Sequence, residues 1–168
     1  MRNMRKTASE FFSVKGIEYF DFEEDFVEDH VRCIPMVVRF KMDAAGVKLK
    51  LSEWSKFPTN ERLELALMPI ANATEVYFYR QYLNSLIIRY TGNLATNMET
   101  EAEPAWGNLQ RIPEMLIEKA MELQLILSIE QWGRLTDLQR YALLKLCRPG
   151  HENKNFPKAV QEFGLMNN

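Results

Sequence analysis

Arg32-Cys33-Ile34-Pro35-Met36-Val37-Val38-Arg39-Phe40-Lys41, running on through Trp54 and Arg62 to Pro69, has a second version further along the chain. Shifted by 78 residues and without a gap, Trp54 falls on Trp132 and Ile34-Pro35 on Ile112-Pro113. Lys41 falls on Lys119, Leu49 on Leu127, Arg62 on Arg140 and Leu65 on Leu143. Val38 with Leu116, Val47 with Leu125, Leu51 with Ile129, Lys56 with Arg134 and Phe57 with Leu135 are conservative matches. Tryptophan is rare, so a Trp match flanked by Ile-Pro and Arg matches favours a tandem repeat of units about 32–69 and 110–147. Apolar periodicity alone also draws helical segments into partial register, and it is the competing explanation.

Each unit reads as three helical pieces. Pro35 and Pro113 stand where proline opens a helix, because the first turn needs no amide donor there. Pro35 to Ala45 is predicted to stop at Gly46; its copy is Pro113 to Gln124, with Leu116, Ala120 and Leu123 on one face. Residues 47–51 and 125–129 read as extended connectors or brief strands. Ser128-Ile129-Glu130-Gln131 and Thr136-Asp137-Leu138-Gln139 have the capping-box form and open the Trp132 helix and a third helix. Between the copies, Thr74 to Thr91 is the clearest helix, opened by Asn72-Ala73-Thr74-Glu75 in the capping-box form, with Val76, Tyr79, Leu83, Leu86, Ile87 and Tyr90 on one face and Gly92 as its stop. Residues 93–106 and 148–155 read as polar loops, and a last helix spans Phe156 to Phe163 before Gly164. The expectation is an all-α fold: two similar helical units around a central long helix, with very short strands at most, in one domain over 1–168. Residues 1–17 are expected to be a frayed extension.

Composition narrows the function classes. The chain has 168 residues, 46% hydrophobic and 26% charged, with a net charge of -2. That is ordinary globular composition, with no global basic charge to suggest nucleic acid. No apolar run is long enough to span a membrane, and the basic N-terminus (Arg2, Arg5, Lys6) lacks the apolar core of a signal peptide. Two cysteines form no disulfide framework, and a cytoplasmic protein is expected. Residues 18–29 carry seven acids and no base; a solvated face, paired with the basic stretch Arg32 to Lys56, is the plain reading.

Motifs for chemistry are sparse. His30-x-x-Cys33 and Cys147-x-x-x-His151 offer a nitrogen–sulfur donor set for zinc, but in no familiar order, and each cysteine abuts an apolar residue as a buried thiol would. There is no nucleophile elbow, phosphate loop or dinucleotide fingerprint. Trp54 and Trp132 read as core anchors. Arg62 and Arg140, each eight residues after its Trp, read as buried or half-buried hydrogen-bond forks to backbone carbonyls. The surface candidate is the polar stretch His151, Glu152, Asn153, Lys154 and Asn155.

Several strings resemble the nitrate reductase-associated protein family. They are Phe22-Glu23-Glu24-Asp25-Phe26-Val27, Arg32-Cys33-Ile34-Pro35-Met36, Val38-Arg39-Phe40-Lys41-Met42-Asp43, Gly46-Val47-Lys48-Leu49, Leu138-Gln139-Arg140-Tyr141-Ala142-Leu143 and Arg148-Pro149-Gly150-His151-Glu152-Asn153-Lys154-Asn155-Phe156. The resemblance covers about Phe20 to Leu165. It implies an accessory factor for assimilatory nitrate reductase, a molybdenum and iron–sulfur enzyme, and it implies no catalytic residues and no cofactor. Cys33 and His151 match the family pattern, whereas His30 and Cys147 stand where other residue types are usual, which weakens the zinc reading. Ile70 stands where the pattern has a cysteine after Pro69. The resemblance therefore implies a non-enzyme whose partner is nitrate reductase or its assembly machinery, with Arg32, Cys33 and His151 to Asn155 as the partner-binding candidates. A cofactor handler using Cys33 and His151, and a binder of a small effector between the two units, are the alternatives.

Overall fold

The computed structural model describes residues 14–25 and 33–166. The chain divides into two compact units, 1–101 and 102–168. Both are mostly helical, and the only extended pairing among the described residues is a two-stranded ribbon.

The first unit opens with a 3-10 turn, Asp21–Asp25, followed by α1 (Met36–Ala45), β1 (Val47–Lys48), α2 (Leu51–Trp54), α3 (Thr59–Leu67), α4 (Ala73–Thr91) and β2 (Thr96–Asn97). Pro35, at φ -56° and ψ 149°, is the N-cap of α1. Proline has no side-chain acceptor, so the exposed amides need another partner. Glu23 supplies it: its carboxylate accepts from the Met36 amide at 2.6 Å and from the Phe20 amide at 3.0 Å. Glu23 is buried, so this part of the acidic stretch is a helix cap and not the solvated face its composition suggested. Lys41 does the converse. Its ammonium donates to the carbonyls of Ala66 and Met68, both at 2.6 Å, and so satisfies the end of α3. Burial lowers the Lys41 pKa from the ordinary 10.5 to about 8, against the raising influence of Glu18.

The chain leaves α1 at Gly46, in the left-handed region at φ 68°. A Cβ there would meet the Met98 carbonyl oxygen and the Thr100 methyl, each at 3.0 Å, so glycine is required for conformation and for space. The close approach comes from β2, which pairs antiparallel with β1, Val47 opposite Asn97 and Lys48 opposite Thr96. Residues 93–106, read from sequence as a polar loop, thus contain β2 and part of a 3-10 turn. The capping box at α4 forms by half: Asn72 accepts from the Glu75 amide at 3.0 Å, but the Glu75 carboxylate takes the amide of Ala71 at 2.6 Å. Tyr79, Leu83, Leu86 and Ile87 of α4 are buried, and α4 packs against α1 and α2.

The second unit comprises a 3-10 turn (Ala105–Gly107), α5 (Glu114–Glu122), α6 (Ile129–Arg134), α7 (Asp137–Cys147), a second 3-10 turn (His151–Asn155) and α8 (Phe156–Glu162). Its α5 ends in a Schellman motif: the Gln124 amide bonds to Met121 and the Leu125 amide to Ala120. Gln124, the sequence match of Gly46, also lies at positive φ, 58°. Both capping boxes form in full. Ser128 and Gln131 exchange bonds at 3.1 and 3.0 Å, and Thr136 and Gln139 at 3.1 and 2.9 Å. Residues 125–129 form no strand; Leu125 is buried, Ile126 is exposed and Ile129 begins α6.

Matched positions carry matched local structure in the two units. The Arg62 guanidinium lies 5.8 Å from the centre of the Trp54 ring and donates to Phe57 at 2.8 Å. The Arg140 guanidinium lies 5.7 Å from the centre of the Trp132 ring and donates to Leu135, the match of Phe57. Both tryptophans are buried, as core anchors. Arg140 is the richer fork: it also donates to Trp106 at 2.7 Å and pairs with Asp137. Among the described residues no helix is long and apolar enough to cross a membrane.

Candidate functional site

Helix α7 ends at Cys147, and Pro149 cannot continue it. Gly150, at φ 151°, turns the chain. The stretch predicted as a polar loop then winds into the 3-10 turn His151–Asn155, which leads directly into α8. The Asn153 amide donates to Gly150 at 3.2 Å, and its side chain donates to the Arg148 carbonyl at 3.4 Å. Phe156 and Val160 anchor the turn from inside, both buried, and α8 closes on a second Schellman motif through Gly164 and Leu165.

The turn offers solvent a mixed polar surface. Lys154 and Arg148 are exposed and Asn153 is half-buried. Asn155 is fully buried, and among the described residues neither of its amide atoms has a hydrogen-bond partner. Its place among the surface candidates is therefore corrected: it faces the interior and cannot offer a side chain to a partner in this conformation. The side chains of His151 and Glu152 lie outside what the structure describes, as does Arg32. Cys33 is half-buried just ahead of α1, in the first unit, whereas the turn belongs to the second.

Cys147 is a poor nucleophile. Burial pushes its thiol up to about 12, only partly offset by Lys119, so it stays protonated at neutral pH. His30 lies outside the described residues, and among these no group of three or more His, Cys, Asp or Glu side chains is placed to hold a metal ion. Sequence reading missed Glu23 and Lys41 as buried charged residues. The signal for Lys41 was its match with Lys119, which stays near the surface and pairs with Glu122 at 2.7 Å. Glu23 carried no signal, since its role depends on a helix thirteen residues away.

What the arrangement can do chemically is present the Lys154 ammonium and the Asn153 amide on a turn backed by the buried Phe156 and Val160. Such a surface suits protein recognition by hydrogen bonding and charge. The family model described as conserved nitrate reductase-associated protein matches residues 19–163. No curated protein and no solved structure matches the chain.

Proposed function

The chain belongs to the conserved nitrate reductase-associated protein family, and from that premise we propose that it is an accessory protein of assimilatory nitrate reductase. It acts in the cytoplasm, not as an enzyme, but by binding the reductase, either its apo form or the complex with its electron donor, during maturation, assembly or activity. The single observation that carries this reading is the family match across residues 19–163. The turn at 151–155 supports it, because Lys154 is exposed there beside the half-buried Asn153, with Arg148 exposed just ahead of the turn.

The test is genetic. In cells grown on nitrate as sole nitrogen source, loss of the chain should lower nitrate reductase activity, and the wild-type sequence should restore it. A combined His151→Ala, Asn153→Ala, Lys154→Glu variant should fail to restore it while accumulating to normal levels. Full restoration by that variant would move the binding surface away from the turn. Unchanged reductase activity on loss of the chain would remove the accessory role itself.

A further inference from the structure

Helix α4 buries one face and leaves the opposite one to solvent. Tyr79, Leu83, Leu86 and Ile87 are buried, and the helix packs against α1 and α2. On the other side Thr74, Phe78, Gln81, Ser85 and Ile88 are all exposed, Phe78 at 58% and Ile88 at 50%. Steps of four, three, four and three residues separate them, which is the spacing of a coiled-coil seam. Phe78 and Ser85 form one set of alternate seam positions, and Thr74, Gln81 and Ile88 form the other. Apolar residues scattered singly over a surface need no partner, whereas two large ones on one seam at this spacing fit a second helix.

We propose that this seam pairs antiparallel with the same seam of a second copy of the chain. An antiparallel twofold pair sets each position of one set opposite a position of the other. With residue 83 at the centre, Phe78 lies opposite Ile88 of the second copy, and Gln81 opposite its Ser85. That register places apolar on apolar at both ends and polar on polar in the middle. Ser85 donates to the Tyr82 carbonyl at 2.6 Å, and its oxygen can still accept from a Gln81 amide. A polar layer inside an apolar seam also fixes the register.

Charge complementarity identifies the occupant as a second copy. A twofold axis sets each flank of the seam against itself while reversing its direction. Glu75, in the first turn of α4, and Arg89, in the last, stand on one flank, each directly after a seam position. In the antiparallel pair each Glu75 therefore meets Arg89 of the second copy, giving two symmetric ion pairs. Glu75 is half-buried and gives one carboxylate oxygen to the Ala71 amide, and the exposed Arg89 gives one guanidinium nitrogen to Glu61 at 3.1 Å, so both keep bonding capacity. A parallel pair would hold these two charges about 21 Å apart along the axis and set the helix dipoles side by side instead of opposed. One 19-residue helix is about 28 Å long and 10 Å wide, and covers less than the roughly 800 Å² per partner of a standard interface. The dimer is therefore expected to be weak, in the micromolar range. This inference does not depend on the reductase reading.

The test uses the full chain. Sedimentation equilibrium should show a reversible monomer–dimer equilibrium in the micromolar range. Phe78→Ser with Ile88→Ser should weaken it by about tenfold or more, with circular dichroism unchanged because both side chains are exposed. If that variant perturbs folding, Gln81→Glu with Ser85→Glu gathers carboxylates at the centre of the pair and should weaken it equally. Direction is read by mixing Gln81→Cys chains with Ser85→Cys chains under oxidising conditions. Mass spectrometry should then find residue 81 of one copy linked to residue 85 of another. A chain that stays monomeric up to about 1 mM overturns the proposal, as does a dimer that both pairs of substitutions leave intact. Links only of 81 to 81 and of 85 to 85 would mean a parallel pair, and would overturn it as well.

Discussion

At the scale of single residues, the two helix stops at Gly46 and Gln124 test the same geometry from opposite sides. A left-handed conformation costs a non-glycine residue about 1–2 kcal/mol, so Gln124→Gly should raise the unfolding free energy by roughly 1 kcal/mol, as read from urea denaturation. Gly46→Ala should lower it by more than that, because the new methyl meets the Met98 carbonyl oxygen at 3.0 Å as well as the wrong φ. The Tyr79 hydroxyl is fully buried and has no hydrogen-bond partner among the described residues. Tyr79→Phe should therefore leave stability unchanged or raise it by about 1 kcal/mol, and a loss would reveal a bound water at that hydroxyl. Lys41 gives a pH signature. Its folded pKa of about 8 lies below the ordinary 10.5, so the unfolded chain binds more protons between the two, and stability should climb as pH rises from 8. The Cys147 thiol, at about 12 in the fold against 9 free, acts in the opposite sense above pH 9. The rise should therefore be cleanest between pH 8 and 9, and Lys41→Met should flatten it in denaturation curves taken across that window.

At the scale of elements, legibility followed how local each signal was. The boxes at Ser128 and Thr136 need only four consecutive residues, and both form as read. Ser128→Ala and Thr136→Ala should each cost about 1 kcal/mol, and because they cap different helices the double variant should show nearly the sum in thermal or urea denaturation. Asn72 reads correctly as the cap of α4, but its partner Glu75 slips to Ala71, a choice between two adjacent amides that the sequence does not distinguish. The guanidinium forks at Arg62 and Arg140 were legible because each follows its Trp at one fixed spacing. Residues 151–155 read as a loop because polar composition does not separate a loop from a single 3-10 turn, and the difference rests on Phe156 and Val160 being buried behind it. Glu23 was read as part of a charged face, since nothing near it in sequence marks a carboxylate that caps α1. Glu23→Ala leaves the Met36 amide without its acceptor and should lower stability by about 1–3 kcal/mol, with Glu23→Gln recovering part of it in the same urea measurement.

At the scale of the whole molecule, an all-helical class was legible from apolar spacing and helix punctuation, while the division into units at 101/102 was not, because the boundary falls inside the polar stretch between β2 and the next 3-10 turn. The Trp, Ile-Pro and Arg matches drew attention to corresponding places in the two units, and at those places the backbone and side-chain bonds correspond: positive φ at Gly46 and Gln124, and an arginine held against the tryptophan ring in each. The candidate site was legible only as a surface turn. Which of its residues face outward depends on packing, and Asn155 is buried along with Phe156 while Lys154 beside it is exposed. The long strings around Cys33 and His151 pointed to the family that matches residues 19–163, and the accessory role proposed from that match requires physical association with the reductase. Sedimentation velocity of the purified chain mixed with purified nitrate reductase, as apoenzyme and as holoenzyme, reads that association without intermediaries. The chain is expected to move into the faster boundary of at least one reductase form, saturating with concentration. Independent sedimentation of the two proteins with both forms, at concentrations well above micromolar, would contradict it.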